Sequence, residues 1–508
     1  MKRSVTSATT CKSTPQLPQP LPPSSKPWTP HNYQKKAVKF LLEHAAAALF
    51  LDPGLGKTSI TLAAIKLLKA RGLVSKVLLI APIRACYDVW PDEIVKWTDF
   101  HGLSYTILHG KNKDEALKAD ADIYIINPQG LEWLLQIQKS KLPNGKTKVA
   151  VDLKRWRALG FDTLVIDELS KFKHTQTNRF KAMKFALHTF GRRWGLTGSP
   201  AANGLMDLFG QCYMLDQGRT LGPYISHYRM KYFVPGWDGF SWNLREGADQ
   251  EIYERVKPLA LRMAAEDYLD MPKVIENNIK VQLTPEVMKV YLQLEEDLIA
   301  RLENNTIRAA NAAAASMKCR QVAQGAVYVD SEVQALVKLP KTEREWVDLH
   351  EAKLDALEDL IDELQGEPLL VAYDFEFDLD NLTKRFGDKG VLPYIGGGVS
   401  PKRATELKNL WNGGQLKYLF GHPLSMAHAL NLQQCGHHVA WYALTWDFEL
   451  YDQFIRRVRR QGNQSKRVYV HHIMASGTID EVMLMSLKAK NRGQNALFSA
   501  LQLLKAKK

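Results

Sequence analysis

From residue 28 to about residue 201, short apolar runs alternate with segments in which apolar residues recur at helical spacing. The runs predict buried β-strands, and the segments between them predict amphipathic helices. Because strands that alternate with helices usually form a parallel sheet covered on both faces, this region predicts an α/β lobe. The predicted strands are Ala46–Leu51, Lys76–Ala81, Ile123–Asn127, Thr163–Asp167 and Arg193–Leu196.

The same alternation returns at about residue 351 and predicts a second parallel sheet. Its predicted strands are Pro368–Tyr373, Tyr418–Gly421, Val439–Ala443 and Val468–Ala475. Between the two regions lie two helical segments, Pro285–Asn304 and Ala309–Gln324, and an aromatic segment, Tyr232–Trp242. We expect these aromatic side chains to pack against the first lobe, with stacking on nucleic-acid bases as the alternative. The pattern therefore predicts an α/β protein with two sheets and a helical region between them.

The chain length of 508 residues supports more than one hydrophobic core. Residues 1–27 contain six prolines, four basic residues and no acidic residue, which is typical of a disordered arm. We expect the first lobe over residues 28–215, an inter-lobe helical and aromatic region over 216–350, and the second lobe over 351–490. Residues 491–508 then form a basic C-terminal tail.

The composition of the chain indicates a candidate binding partner and a cellular compartment. The chain has 68 Lys and Arg against 54 Asp and Glu, a net charge of +14, which favours a polyanion such as nucleic acid but also serves solubility. The five cysteines are scattered, with no pair at the spacing of a disulfide framework or zinc site, so we expect a reducing cytoplasm. No apolar run is long enough for a membrane helix and no secretory leader is visible, so we expect no membrane partner.

A glycine-containing loop follows the first predicted strand and opens a helix. It reads Gly54-Leu55-Gly56-Lys57-Thr58-Ser59. Glycines let backbone N–H groups turn toward phosphate oxygens, and the helix N-terminus adds positive charge. Lys57 is suited to the β- and γ-phosphates of a nucleotide and the Thr58 hydroxyl to Mg²⁺. All six residues are predicted to bind nucleotide, although Leu51 stands where the full pattern has a further glycine.

Two adjacent carboxylates, Asp167 and Glu168, end a later predicted strand. Such a pair can supply an acid that anchors Mg²⁺ and a base that positions the attacking water. Acidic pairs at strand ends are common, so the pair gains its meaning from the phosphate loop that precedes it.

These residues, taken in order, resemble the superfamily-two helicase-like ATPases of the Swi/Snf type. The resemblance covers roughly residues 28–490. The matching segments are Tyr33-Gln34; Gly54–Thr58; Ala81-Pro82 with Trp90, Glu93 and Trp97; Asp167–Lys173; Leu196-Thr197-Gly198-Ser199-Pro200 with Asn203; Ala429–Leu432; and Trp446, Gln453, Arg457, Arg460 and Gly462. Ser170 stands where the family usually has histidine, and Ala429 where it usually has glycine.

The resemblance implies two RecA-like lobes with ATP, Mg²⁺ and DNA bound across the cleft. It implies that Gln34 reads adenine, that the Trp90 segment lies near the nucleic-acid strand, and that Arg457 and Arg460 approach ATP from the second lobe. Arg456 and Arg459 in the same run are expected to serve packing or charge. Lys57, Asp167, Glu168, Arg457 and Arg460 are thus the expected catalytic residues, with Thr58 and Asp167 on the metal.

The resulting hypothesis is an ATP-hydrolysing motor that moves along duplex DNA. Two alternatives stay open: a strand-separating helicase, and an ATP-gated nucleic-acid-binding adaptor with weak turnover. An RNA remodeller is disfavoured by the resemblance alone. Family members this compact resemble phage or bacterial versions, which suggests the cytoplasm of a bacterium or of a phage-infected host. No residue pattern identifies a protein partner.

Overall fold

The computed structural model describes residues 26–141, 147–201, 204–236, 242–269, 271–303, 309–329, 346–426 and 430–488. Over these residues the chain forms two α/β lobes, each built on one parallel sheet. This confirms the predicted fold class. All but the last two residues of the predicted N-terminal arm, and the whole predicted tail 491–508, lie outside the described residues.

The strands that precede residue 264 comprise one large sheet and two hairpins. They are β1 (Ala46–Leu51), β2 (Val77–Ile80), β3 (Tyr105–Ile107), β4 (Ile123–Ile126), β5 (Gln138–Lys141), β6 (Thr147–Ala150), β7 (Thr163–Asp167), β8 (Arg192–Thr197), β9 (Phe233–Pro235), β10 (Trp242–Leu244) and β11 (Ala260–Met263). The α-helices in this stretch are α1 (Asn32–Glu43), α2 (Lys57–Ala70), α3 (Trp90–Lys96), α4 (Lys113–Ala116), α5 (Leu131–Leu134), α6 (Leu153–Ala158), α7 (Asn178–Ala186), α8 (Leu208–Asp216), α9 (Ile225–Tyr232) and α10 (Ala248–Val256).

The first sheet has the strand order β11-β1-β8-β7-β2-β4-β3, and all its strand pairs are parallel. Its central strands send alternate side chains into two apolar cores: in β1, Ala48 and Phe50 enter one core, and Leu49 and Leu51 enter the other. Because both faces are buried, these strands read as continuous apolar runs in the sequence. The five predicted strands of this lobe are all found, within one residue at each end.

The remaining strands build the second lobe. They are β12 (Lys273–Val281), β13 (Ala326–Tyr328), β14 (Trp346–Asp348), β15 (Leu369–Ala372), β16 (Tyr394–Ile395), β17 (Tyr418–Gly421), β18 (His438–Trp441) and β19 (Arg467–Ala475). Its helices are α11 (Pro285–Glu303), α12 (Ala309–Gln324), α13 (Ala352–Glu363), α14 (Glu376–Phe386), α15 (Pro401–Asn412), α16 (Pro423–Met426), α17 (Phe448–Ile455) and α18 (Ile479–Lys488). The second sheet has the order β12-β19-β18-β15-β17-β16 and is also parallel throughout.

The stretch 216–350, expected to lie between the lobes, contributes to both of them. β11 pairs with β1 at the edge of the first sheet, and β12 pairs with β19 over nine residues at the edge of the second. An edge strand has a partner on one side only, and β12 is largely exposed. Strands β11 and β12 therefore lack the apolar run that a central strand shows in the sequence. The chain therefore crosses between the lobes over residues 264–272, and we propose the domain boundary there.

The aromatic segment packs on the first lobe where it is described. Tyr232 and Phe233 are buried in one of the two cores of this lobe, and Trp242 packs against the same core. Trp237 and Phe240 lie outside the described residues. Packing is thus confirmed for Tyr232 and Phe233.

The described part of the chain contains no helix that is both long and apolar enough to cross a membrane. The four cysteines it includes are free thiols. Cys11 lies outside it.

Candidate nucleotide site at the interface of the lobes

Three loops that follow neighbouring strands meet at the carboxyl edge of the first sheet. Strands β1, β8 and β7 lie side by side and end at Leu51, Thr197 and Asp167. The carboxyl ends of parallel strands share one edge of the sheet, where ligands of α/β proteins usually bind. The predicted phosphate loop, the Leu-Thr-Gly-Ser-Pro segment and the Asp-Glu pair are therefore brought together, as the sequence predicts.

The phosphate loop turns through two glycines with a left-handed backbone. Gly54 has a φ of +94° and Gly56 a φ of +79°, values that residues with a Cβ rarely adopt. A Cβ on Gly54 would meet no atom within 4 Å, whereas one on Gly56 would lie 2.5 Å from Nε2 of Gln34. The loop is thus open at Gly54 and tightly packed at Gly56, and it leads into the N-terminus of α2. This geometry fits a phosphate group.

Lys57, the first residue of α2, folds back over the loop. Its Nζ donates to the carbonyl oxygens of Leu51 at 2.7 Å and Asp52 at 3.4 Å. Burial lowers the pKa of Lys57 to about 8, while the charges of Glu168 and Asp167 oppose this shift. The loop and the Asp-Glu pair therefore belong to one electrostatic site.

Gln34 and Ser59 make contacts that the sequence did not predict. The Gln34 Oε1 accepts from the backbone N–H of His31 at 3.0 Å, and its Nε2 donates to the carbonyl of Leu55 at 3.2 Å. Gln34 therefore braces the phosphate loop against α1. The Ser59 hydroxyl donates to Glu93 of α3 at 2.7 Å, so a contact of Ser59 with a phosphate would come from its backbone N–H in the first turn of α2.

Asp167 is held by a tryptophan from the neighbouring helix. Trp90, the first residue of α3, is fully buried and donates its Nε1–H to Oδ2 of Asp167 at 2.9 Å. Burial raises the pKa of Asp167 to about 6. The hydrogen bond from Trp90 is the strongest of the effects that lower this pKa. In the structure the Trp90 side chain orients the acid. The position of its segment near nucleic acid, which the resemblance implies, stays a prediction. Trp90 and Asp167 are 77 positions apart in the chain, so no local sequence pattern indicates this contact.

Glu168 has a strained backbone and a well-defined carboxylate. Its φ of +62° is left-handed although it is not a glycine, and such strain tends to occur at functional sites. Its Oε1 accepts from the hydroxyls of Ser170 at 2.8 Å and Thr197 at 2.7 Å. Thr197 Oγ1 in turn accepts from the backbone N–H of Ser199 at 3.2 Å. Two loops thus fix the orientation of the Glu168 carboxylate.

Arg457 and Arg460 lie in the second lobe, after α17, and are tied to its backbone. Arg457 donates to the carbonyls of Gln453 at 3.0 Å and Leu430 at 3.2 Å. Arg460 donates to the carbonyl of Arg456 at 2.9 Å and to the side-chain oxygen of Asn431. Burial lowers the pKa of Arg457 to about 9 and that of Arg460 to about 10. The charge of Arg460 also lowers the pKa of Lys57, so the two residues share one electrostatic environment.

Arg456 and Arg459 form ion pairs, which agrees with the packing or charge role expected from the sequence. Arg456 Nη1 lies 3.3 Å from Asp52, between strand β1 and the phosphate loop, while its Nε pairs with Asp452 at 2.6 Å. Arg459 pairs with Glu266, in the crossing segment, at 2.6 Å. These two arginines therefore form ion pairs that tie the second lobe to the first lobe and to the crossing segment.

The site fits Mg²⁺ through a small ligand set. No group of three or more His, Cys, Asp or Glu side chains suited to a metal occurs within the described ranges. Mg²⁺ is commonly held by one or two carboxylates together with substrate phosphates and water. Asp167, with Thr58 in the first turn of α2, matches that chemistry, and the cation would balance phosphate charge.

The family comparison agrees with this geometry. Residues 33–333, more than half of the chain, match the SNF2-related domain. This chain belongs to the SNF2-related family.

Among similar proteins, p41 of Acyrthosiphon pisum secondary endosymbiont phage 1 is 31% identical over 494 residues, which cover 94% of this chain and 99% of p41. YwqA of Bacillus subtilis (strain 168) is 22% identical over 90% of this SNF2-related chain, which spans only 47% of YwqA. The Sulfolobus solfataricus SWI2/SNF2 ATPase core, solved in complex with dsDNA, has 21% identity and a TM-score of 0.41, covering 96% of this chain and 97% of that one.

The departures of this SNF2-related chain from the usual motifs have different outcomes. Ser170 donates to Glu168 and lies 3.4 Å from Oε1 of Glu449 on α17. Ala429 and Asn203 lie outside the described residues. Glu449 was not predicted as a site residue, because no motif position points to it.

Proposed function

We propose that this SNF2-related chain is an ATP-hydrolysing motor that moves along duplex DNA. One observation carries the proposal: the phosphate loop and the Asp167-Glu168 pair share the carboxyl edge of the first sheet, and arginines of the second lobe approach that edge. Arg456 pairs with Asp52, just before the loop, and the charge of Arg460 lowers the pKa of Lys57. A site divided between two lobes suits a motor, because hydrolysis then depends on the relative position of the lobes.

In this proposal each predicted site residue has one task. Lys57 contacts the β- and γ-phosphates, Thr58 and Asp167 hold Mg²⁺, and Glu168 orients and deprotonates the attacking water. Mg²⁺ would neutralise charge on the phosphates. The remaining binding residues are Gln34, toward the adenine, and Gly54, Leu55, Gly56 and Ser59, through the backbone of the loop. Arg457 and Arg460 stabilise charge on the γ-phosphate from the second lobe.

DNA binding is proposed to rest on the phosphate backbone. The net charge of +14 favours a polyanion, and no base-reading motif is present in the sequence. Each neutralised phosphate on duplex contributes roughly −0.9 to the slope of log K against log[salt]. Affinity should therefore fall steeply with salt and vary little with DNA sequence. A flat salt dependence would contradict this mode of binding.

The test is ATP turnover on duplex DNA, single-stranded DNA, forked DNA and RNA. Lys57→Ala should weaken ATP binding, whereas Glu168→Gln should bind fluorescent ATP analogues but not hydrolyse ATP. Lys66→Ala is the matched control, since Lys66 is an exposed lysine on the same helix α2. Turnover that is unchanged in both site variants would refute the ATPase assignment.

The two alternative functions give different results in the same set of assays. A translocase displaces the third strand of a triplex without separating the duplex, whereas a strand-separating helicase also releases one strand of a forked duplex. An ATP-gated adaptor binds DNA in an ATP-dependent manner with little turnover. Stimulation of hydrolysis by duplex together with triplex displacement would support the proposed motor.

A further inference from the structure

A carboxylate of the second lobe reaches the residue that holds Glu168. Glu449, in the first turn of α17, places Oε1 3.4 Å from the hydroxyl of Ser170, which is 279 residues earlier in the chain. The same Oε1 accepts from Nε2 of Gln453 at 3.0 Å. Ser170 is buried and lies 2.8 Å from the carboxylate of Glu168. The three groups therefore form a continuous chain from the second lobe to the proposed base.

The charges around Glu449 come from both lobes. Its acidic neighbours are Glu168 and Asp447, and its basic neighbours are Lys173 and Lys171. Lys173 also forms an ion pair with Asp207 at 3.4 Å. Burial raises the pKa of Glu449 to about 7, and the charge of Glu168 adds to this shift. The protonated form of Glu449 is therefore populated near neutral pH.

The hydrogen atoms in this chain can be counted. A serine hydroxyl donates one hydrogen bond, and the shorter distance assigns that hydrogen to Glu168. The 3.4 Å contact of the Ser170 hydroxyl with Oε1 of Glu449, which also accepts from Gln453, is then favourable only while Glu449 is uncharged. An ionised Glu449 would instead place a second negative charge beside Glu168 and would disfavour the contact between the lobes.

We propose that Glu449 is a positioning residue for Glu168, acting through the Ser170 hydroxyl, so that the approach of the second lobe sets the orientation of the base. This inference rests on the proposed ATPase function, in which Glu168 activates water. It assigns a coupling between the lobes to Ser170, which stands where the family usually has histidine, and to Glu449, which no motif position indicates.

The experiment compares ATP turnover of the parent with Glu449→Gln, Glu449→Ala and Ser170→Ala, at saturating ATP and duplex DNA, between about pH 6 and 9. Parent kcat should fall above about pH 7 as Glu449 ionises. Glu449→Gln keeps an uncharged side chain of the same size and should lose this decrease near pH 7, leaving only the loss expected above about pH 8 from Lys57. Glu449→Ala and Ser170→Ala should each lose roughly tenfold or more in kcat, the effect of one hydrogen bond to a charged group. Binding of a fluorescent ATP analogue should change little.

The double variant Ser170→Ala/Glu449→Ala should be no slower than either single variant, because both remove the same link. Glu376→Gln is the matched control, since Glu376 is an exposed glutamate in the first turn of another second-lobe helix, α14. A decrease near pH 7 that persists in Glu449→Gln, or fully additive losses in the double variant, would overturn the inference. A parent protein that binds the analogue without DNA-stimulated turnover would instead overturn the proposed function, and this inference with it.

Discussion

Replacing Thr197 by valine tests whether the hydroxyl groups on Glu168 matter for catalysis. Thr197 is fully buried, and its Oγ1 donates to Oε1 of Glu168 at 2.7 Å. Valine keeps the branched shape of the side chain but removes the donor. Ser170 then remains as a hydroxyl donor on that oxygen, at 2.8 Å. The carboxylate should rotate more freely and position the attacking water less often.

The expected magnitude follows from the chemistry of that contact. A hydrogen bond to a charged group contributes about 1.5–3 kcal/mol. If that energy is expressed fully in the transition state, kcat falls about 10- to 150-fold, since about 1.4 kcal/mol corresponds to a factor of ten. Ser199 also loses the acceptor for its backbone N–H, so the adjacent loop becomes less ordered. We therefore expect a decrease at the upper end of this range.

The assay is steady-state ATP turnover with saturating duplex DNA, together with binding of a fluorescent ATP analogue. Thr61→Val is the matched control. Thr61 is also fully buried, but its hydroxyl donates to the carbonyl of Lys57 within helix α2, at 2.8 Å. We expect Thr197→Val to lose kcat with near-normal nucleotide binding, and Thr61→Val to retain most turnover.

Two results would refute this reasoning. Equal kcat in Thr197→Val and the parent would mean that the hydroxyl does not position Glu168. Equal losses in Thr197→Val and Thr61→Val would mean that turnover responds to any polar deletion near the loop.

Three further predictions concern stability and the contact between the lobes. Gly210→Ala should lower the urea midpoint by an amount equivalent to about 1–3 kcal/mol, because a Cβ there would lie 2.5 and 2.6 Å from two backbone carbonyl oxygens of the adjoining turn. A stabilised variant would show that helix propensity outweighs the clash. Burial lowers the pKa of His438 and His471 from 6.5 to about 4. The unfolded chain therefore binds protons first, and stability should fall as the pH drops from 6.5 toward 4. Thermal melts at these pH values should show a smaller decrease in melting temperature for His471→Asn. Arg456→Ala should reduce turnover at subsaturating ATP by about fivefold, the effect of about 1 kcal/mol, because it loses the 3.3 Å contact with Asp52. Asp52→Asn should reduce turnover by the same factor, and the double variant should be no slower than either single variant.

Local pattern predicted the central strands and the phosphate loop. Strand β1 and strand β7 agree with their predicted limits, because strands buried on both faces are apolar throughout. The loop could be predicted because the strand, the glycine turn and the first residues of the helix are contiguous in the chain. The edge strands β11 and β12 could not, because a strand with one partner and a solvated side needs no apolar run.

The side-chain contacts within the site depend on the tertiary structure. Glu168 is paired with Thr197 because β7 and β8 are neighbours in the sheet, an order that periodicity does not determine. Among the arginines of the second lobe, the one that reaches Asp52 is Arg456, which no motif identified. The contact of Glu449 with Ser170 joins residues 279 positions apart. Strand order and the docking of the two lobes determine such pairs. The hydrophobic or polar character of a residue indicates whether it is buried, but not which residue it contacts.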